Sequence, residues 1–104
     1  MKYFKREQIH VVDGDALIKN PLPELRKIES FLGLKHRFNE KNIYFDKEKG
    51  FYCVRKKHDR ELCLGENKGR THPAVEEDDI QKLSKYFRPF NREFYKVVRQ
   101  NFDW

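Results

Sequence analysis

No run of apolar residues in this chain approaches the ~20 needed for a helix to cross a bilayer, so no segment reads as a membrane span. The opening Met1-Lys2-Tyr3-Phe4-Lys5-Arg6 lacks the apolar centre of a secretory signal. Low-complexity linkers and internal repeats are missing too, which argues against a string of small modules. Cysteine is scarce: Cys53 and Cys63 allow at most one disulfide. Apolar residues are few, with a mean hydropathy of −0.99 and 38% of residues charged. A chain of 104 residues with that balance builds a modest core.

Aromatic residues and positive charge are plentiful by contrast. Nine Phe, five Tyr and one Trp are spread from Tyr3 to Trp104, so the core is expected to be largely aromatic and residues 1–104 to form one ordered unit. Lys and Arg outnumber Asp and Glu by 23 to 17, a net charge of +6. That excess favours a polyanionic partner such as a sulfated glycan, a nucleic acid or an acidic membrane surface, without choosing among them.

The densest chemical signal follows the second cysteine. The run Leu64-Gly65-Glu66-Asn67-Lys68-Gly69-Arg70-Thr71-His72-Pro73 combines glycine, which lets backbone N–H groups approach phosphate oxygens, with the charge of Lys and Arg. Binding of a phosphorylated ligand is the function it suits, although Lys-Gly-Arg also occurs in solvated loops. Between the cysteines lies a basic stretch, Arg55-Lys56-Lys57-His58-Asp59-Arg60, which either steers a polyanion or is a solvated loop. The two cysteines either bond in an oxidising compartment, closing a loop worth roughly 3 kcal/mol, or remain thiols in a reducing one. Zinc held by Cys53, His58, Cys63 and His72 is a weaker alternative, because those spacings fit no common finger.

Periodicity places these motifs on an α/β framework. Ile9, Val11 and Val12 read as a short buried strand ending at Asp13-Gly14, with Asp13 or Asp15 capping the helix that follows. Pro21 and Pro23 interrupt that helix and Pro23 suits the first turn of another, in which Leu25, Ile28, Phe31 and Leu32 face inward, Glu24, Arg26, Lys27 and Glu29 face away, and Gly33 supplies the stop. Ile43-Tyr44-Phe45 and Phe51-Tyr52-Cys53-Val54, joined through Asp46-Lys47-Glu48-Lys49-Gly50, predict a β-hairpin. After the acidic turn Glu76-Glu77-Asp78-Asp79, Ile80, Leu83 and Phe87 predict a helix broken at Pro89, and Phe90, Phe94, Val97 and Val98 a second one. Their aromatic stripe is expected to be core.

Taken in order, Val12-Asp13-Gly14-Asp15, Pro21-Leu22-Pro23-Glu24-Leu25, Gly50-Phe51-Tyr52-Cys53, Cys63-Leu64, Lys68-Gly69-Arg70-Thr71-His72-Pro73 and Asn101-Phe102-Asp103-Trp104 closely resemble the C-terminal part of heparan sulfate glucosamine 3-O-sulfotransferases. The resemblance runs from about Tyr3 to Trp104; Glu77 stands where family members commonly carry Pro. It implies a C-terminal portion of the P-loop-like sulfotransferase fold, in a Golgi-lumenal enzyme. Such an enzyme moves a sulfo group from 3′-phosphoadenylyl sulfate (PAPS) to the glucosamine 3-hydroxyl of heparan sulfate, with no metal and no nucleic-acid partner.

The same resemblance implies a Cys53–Cys63 disulfide and a donor-nucleotide site that includes Tyr52, Lys68, Gly69, Arg70, Thr71 and His72. Lys68 and Arg70 would face the phosphoadenosine, Gly69 would permit close backbone approach, and Thr71 and His72 would add hydrogen bonds or packing. The family's catalytic glutamate and phosphosulfate loop have no counterpart here and are expected upstream, so the segment alone is expected to be inactive. The competing expectation is a stand-alone basic module that binds polyanions without catalysis.

Overall fold

The computed structural model describes residues 2–55, 61–65 and 72–104. After a 3-10 turn at Arg6–Gln8 come α1 (Gly14–Lys19), α2 (Pro21–Phe31), β1 (Ile43–Asp46), β2 (Phe51–Arg55), β3 (Glu61–Leu62) and α3 (Glu77–Val98), an α/β arrangement. They form two compact units, one of Met1–Val11 with His72–Trp104 and the other of Val12–Thr71.

Residues 9–13 are extended at both ends, with φ −121° and ψ 122° at Ile9 and φ −75° and ψ 108° at Asp13. Among the described residues no strand pairs with them, so the expected strand is an extended segment outside the sheet. A strand needs a ladder partner for its backbone N–H and C=O groups. The expected cap does form: the Asp13 carboxylate accepts the N–H of Ala16 at 3.1 Å and starts α1.

Pro21 occupies the first turn of α2, where its missing N–H leaves no bond unmade. The helix ends as Gly33 predicts. With φ +68° at Gly33, its N–H reaches the Ser30 carbonyl at 3.1 Å and the Leu34 N–H reaches the Glu29 carbonyl at 2.8 Å. The orientation of α2 differs from the expected one. Glu24 and Glu29 are 3% and 5% exposed, whereas Phe31 and Leu32 are 40% and 58% exposed. The two carboxylates turn inward because they accept backbone N–H groups that lack helical or strand partners. Glu29 Oε1 takes those of Arg37 at 2.8 Å and Phe38 at 3.2 Å, and Glu24 Oε2 takes that of Asp13 at 3.4 Å.

The predicted hairpin is present. β1 and β2 pair antiparallel with Tyr44 opposite Cys53 and Phe45 opposite Tyr52, and β3 adds a third strand against β2. Asp46 holds the turn: its Oδ1 accepts from the N–H groups of Glu48 and Lys49, both at 3.0 Å, while Gly50 at φ +73° returns its N–H to the Asp46 carbonyl at 2.8 Å.

In the other unit, Pro89 does not break the helix: α3 is continuous over 22 residues with Pro89 inside it. Pro removes one hydrogen bond and crowds the preceding turn, but the apolar positions keep their three- and four-residue spacing across it, from Leu83 to Phe87, Phe90 and Phe94. The helix terminates at Arg99, in the left-handed region at φ 56°. The tail then folds back, with the Trp104 N–H donating to Tyr95 Oη at 2.9 Å and Tyr95 Oη donating to the Trp104 carbonyl at 3.1 Å. Phe102 and Trp104 stack at 4.9 Å between centroids. The Arg6 guanidinium caps the helix end, donating from Nε to the Val98 carbonyl at 3.2 Å. The stripe expected as core is open within the chain, with Ile80, Leu83, Phe87, Phe90 and Val97 between 44% and 60% exposed; the four-residue aromatic tail covers too little area to bury it.

The inward carboxylates yield a test of the hairpin unit. Glu29→Ala leaves the Arg37 and Phe38 N–H groups without their acceptor and should lower stability by about 1–3 kcal/mol, whereas Glu29→Gln keeps an acceptor oxygen and should lose less. Urea titration followed by circular dichroism, with the exposed Glu40→Ala as control, measures the difference.

Candidate functional site

Side chains alternate along β2, so consecutive residues serve different faces. Cys53 is buried at 2% exposure and Tyr52 is 38% exposed. Cys53 is disulfide-bonded to Cys63, with the two Cα atoms 4.8 Å apart. The bond ties the middle of β2 to the residue that follows β3. Lys49, in the hairpin turn, donates from Nζ to the Leu64 carbonyl at 3.0 Å. The chain thus leaves the sheet fastened at two successive residues, Cys63 by a covalent bond and Leu64 by a hydrogen bond. Tyr52 packs edge-on against Phe45, centroids 5.2 Å apart and planes at 72°, which holds the ring while leaving part of it accessible. The Arg55 guanidinium lies over the Tyr44 ring, 5.0 Å from its centroid.

Of the residues expected at a donor site, Tyr52 belongs to the hairpin unit and His72 to the other unit, where it is exposed. Lys68, Gly69, Arg70 and Thr71 lie outside the described residues, as do residues 56–60 of the basic stretch. The supports that matter most to the hairpin, Asp46 and Lys49, were missed as such. Asp46 was legible only as a turn residue four positions before a glycine, and the Lys49 contact with a carbonyl 15 residues away leaves no local trace.

Among the described residues, Asp46, Cys53 and Cys63 place potential metal-ligand atoms within 4.8 Å of one another. The disulfide consumes both thiolates, which leaves that group a single carboxylate. The zinc set of Cys53, His58, Cys63 and His72 loses its two sulfurs in the same way.

Comparison with known proteins bears on the whole chain. The sulfotransferase domain family matches residues 1–102. The chain is 48% identical over 104 residues to human heparan sulfate glucosamine 3-O-sulfotransferase 5, covering 100% of this chain and 30% of that protein. It is 40% identical over 106 residues to human heparan sulfate glucosamine 3-O-sulfotransferase 3B1, covering 100% and 27%. To mouse heparan sulfate glucosamine 3-O-sulfotransferase 6 it is 41% identical over 106 residues, covering 100% and 31%. The chain therefore spans about 30% of the length of these curated relatives.

Mass mapping of a non-reduced digest should return one linked pair of peptides containing Cys53 and Cys63. Because the bond closes a short loop, Cys53→Ala should destabilise the hairpin by roughly 3 kcal/mol. Thermal melts of oxidised, reduced and Cys53→Ala protein check the value, with the last two expected to coincide.

Proposed function

The chain belongs to the sulfotransferase domain family, and from that premise we propose that residues 1–104 are the C-terminal portion of a heparan sulfate glucosamine 3-O-sulfotransferase, where they supply one wall of the donor-nucleotide site. The observation that carries this reading is identity along the entire chain to enzymes named for that reaction. The fastening of Cys63 and Leu64 supports it, because a phosphate-binding loop must leave its scaffold from a defined point.

In the proposed reaction the glucosamine 3-oxygen attacks the sulfur of PAPS in line. A base takes the hydroxyl proton, the bond from sulfur to the bridging phosphate oxygen breaks, and adenosine 3′,5′-bisphosphate leaves. The part assigned to this segment is orientation of the donor rather than proton transfer. Tyr52 offers an accessible ring edge and hydroxyl to the nucleotide. Lys68 and Arg70 meet its negative charge, Arg70 with a planar fork of donors that Lys does not reproduce. Gly69 admits the backbone to phosphate, and Thr71 and His72 complete the contact. Catalytic groups come from elsewhere in a sulfotransferase domain. A Golgi lumen would keep the Cys53–Cys63 bond oxidised and holds the heparan sulfate substrate.

The reading is tested in a sulfotransferase domain that contains this segment. Arg70→Ala should weaken binding of adenosine 3′,5′-bisphosphate by about 1.5–3 kcal/mol, as for a charge-assisted contact in an enclosed site, and Lys57→Ala should change it by well under about 1 kcal/mol. Calorimetric titration at two salt concentrations measures both. Equal losses that both vanish in high salt would assign Arg70 to a diffuse basic surface and favour a polyanion-binding module without catalysis.

A further inference from the structure

Positive charge is distributed very unevenly along this chain. From Lys82 to Arg99 six cations face one carboxylate, Glu93, a net +5 in 18 residues, while the other 86 residues hold 17 cations and 16 carboxylates. Five of the six lie on α3, and Lys82, Lys85, Arg88, Arg92 and Lys96 are all exposed. At about 100° per residue they fall within an arc of about 120°, opposite the stripe of Ile80, Leu83, Phe87, Phe90, Phe94 and Val97, and they extend over about 21 Å of helix.

Helix physics accounts for the two ends of this charge pattern. Glu77, Asp78 and Asp79 in the first turn and Lys96 in the last complement the macrodipole. It does not account for Lys85, Arg88 and Arg92, which lie beyond reach of either terminus. Successive members of the row are three or four residues apart, the spacing at which like charges on a helix repel. Of the five, Lys96 alone has an ion-pair partner among the described residues, Glu93 at 2.8 Å, and that pair is exposed. A row of adjacent, unneutralised cations destabilises the helix unless an external anion lies along it.

The shape of the row selects the anion. A compact phosphate would reach one or two of these side chains, whereas a linear polymer bearing repeated anionic groups would reach all five. Nucleic acid fits less well, since Phe87, Phe90 and Phe94 lie on the opposite stripe, Tyr86 packs against Phe87 and Phe90, and Tyr95, at the edge of the basic arc, is engaged by the Trp104 backbone. Sulfate groups require charge and donors alone.

We infer that the basic face of α3, formed by Lys82, Lys85, Arg88, Arg92 and Lys96, binds an extended sulfated glycan along the helix axis. For the identity of the polymer this rests on the proposed sulfotransferase function; the existence of the strip rests on the charge row. Counter-ions released from glycan and helix drive the association, so affinity falls steeply with salt.

The test uses the whole chain with heparin, desulfated heparin, single-stranded RNA and anionic lipid vesicles. A triple variant, Lys85→Gln with Arg88→Gln and Arg92→Gln, is compared with a control of equal charge change, Lys19→Gln with Lys35→Gln and Lys47→Gln. Glutamine is a good helix former, and circular dichroism verifies that α3 persists. The α3 variant should bind heparin about tenfold or more weakly near physiological salt, and its log-affinity against log-salt slope should drop by about two to three. The control should stay within about twofold of the parent, Arg88→Lys with Arg92→Lys should keep most of the binding, and desulfated heparin should bind to none of them. Equal losses in both triple variants, or no loss in the α3 variant, would overturn the strip while leaving the sulfotransferase reading intact. RNA or vesicles bound through the same residues as tightly as heparin would replace the glycan with that partner. Heparin binding lost with the α3 cations, together with no nucleotide binding in the larger domain, would retain the strip and remove the sulfotransferase reading.

Discussion

Burial of apolar side chains within this chain is slight, and each unit is organised by polar and covalent fastenings instead. Among the described residues, Pro21, Cys53, Val98 and Phe102 are the buried apolar side chains, the first two in the hairpin unit and the other two in the helical unit. Where a core is thin, an unsatisfied backbone group weighs heavily, because the stability it subtracts from is small. Asp13, Glu24, Glu29 and Asp46 therefore spend their carboxylates on backbone N–H groups. Arg6 spends its guanidinium on the Val98 carbonyl at the end of α3. The disulfide fixes the remaining strand end.

The apolar faces of α2 and α3 stay open for the same reason. Leu25, Ile28, Leu32, Leu34 and Phe38 border a cavity of about 710 Å³ with Glu29 at its wall. Ile80, Leu83, Phe87 and Trp104 border another of about 430 Å³ on the helical unit. Fully covering a side chain of this size is worth about 1.5–3 kcal/mol, and that stabilisation is largely unrealised within the chain. The polar fastenings set the local shape of each unit. They do not supply the burial from which most domains draw their stability.

Elements set by local chemistry were legible in the sequence. The hairpin announced itself through two β-rich runs around an Asp-to-Gly turn, the start of α2 through Pro23 in its first turn, and its end through Gly33. Three features were not legible. The inward turn of Glu24 and Glu29 depends on where the Asp13, Arg37 and Phe38 N–H groups lie, a tertiary fact that a hydrophobic pattern does not encode. Continuity through Pro89 was present in the unbroken spacing of Leu83, Phe87, Phe90 and Phe94, but the strong local preference of proline outweighed that longer signal. Ile9, Val11 and Val12 have strand-like composition, and composition does not specify a pairing partner. At the candidate site, Tyr52, Cys53 and Cys63 could be placed because the hairpin register carries them.

That register couples the disulfide to the accessible tyrosine. A one-residue slip of β2 against β1 would exchange the faces of Tyr52 and Cys53 and would oppose Tyr44 to a different residue. The disulfide joins Cys53 to Cys63 beyond β3, on the far side of β2 from β1, so a slip that turned Cys53 to the other face would have to carry β3 and Cys63 with it. The Phe45–Tyr52 edge contact favours the same register. A bond that contributes nothing to ligand chemistry thereby makes β2 and β3 move as one, and the Phe45 contact ties Tyr52 to β1. The position of this tyrosine rests on the β1–β2 ladder and its aromatic neighbour, with the disulfide bracing the opposite edge of β2.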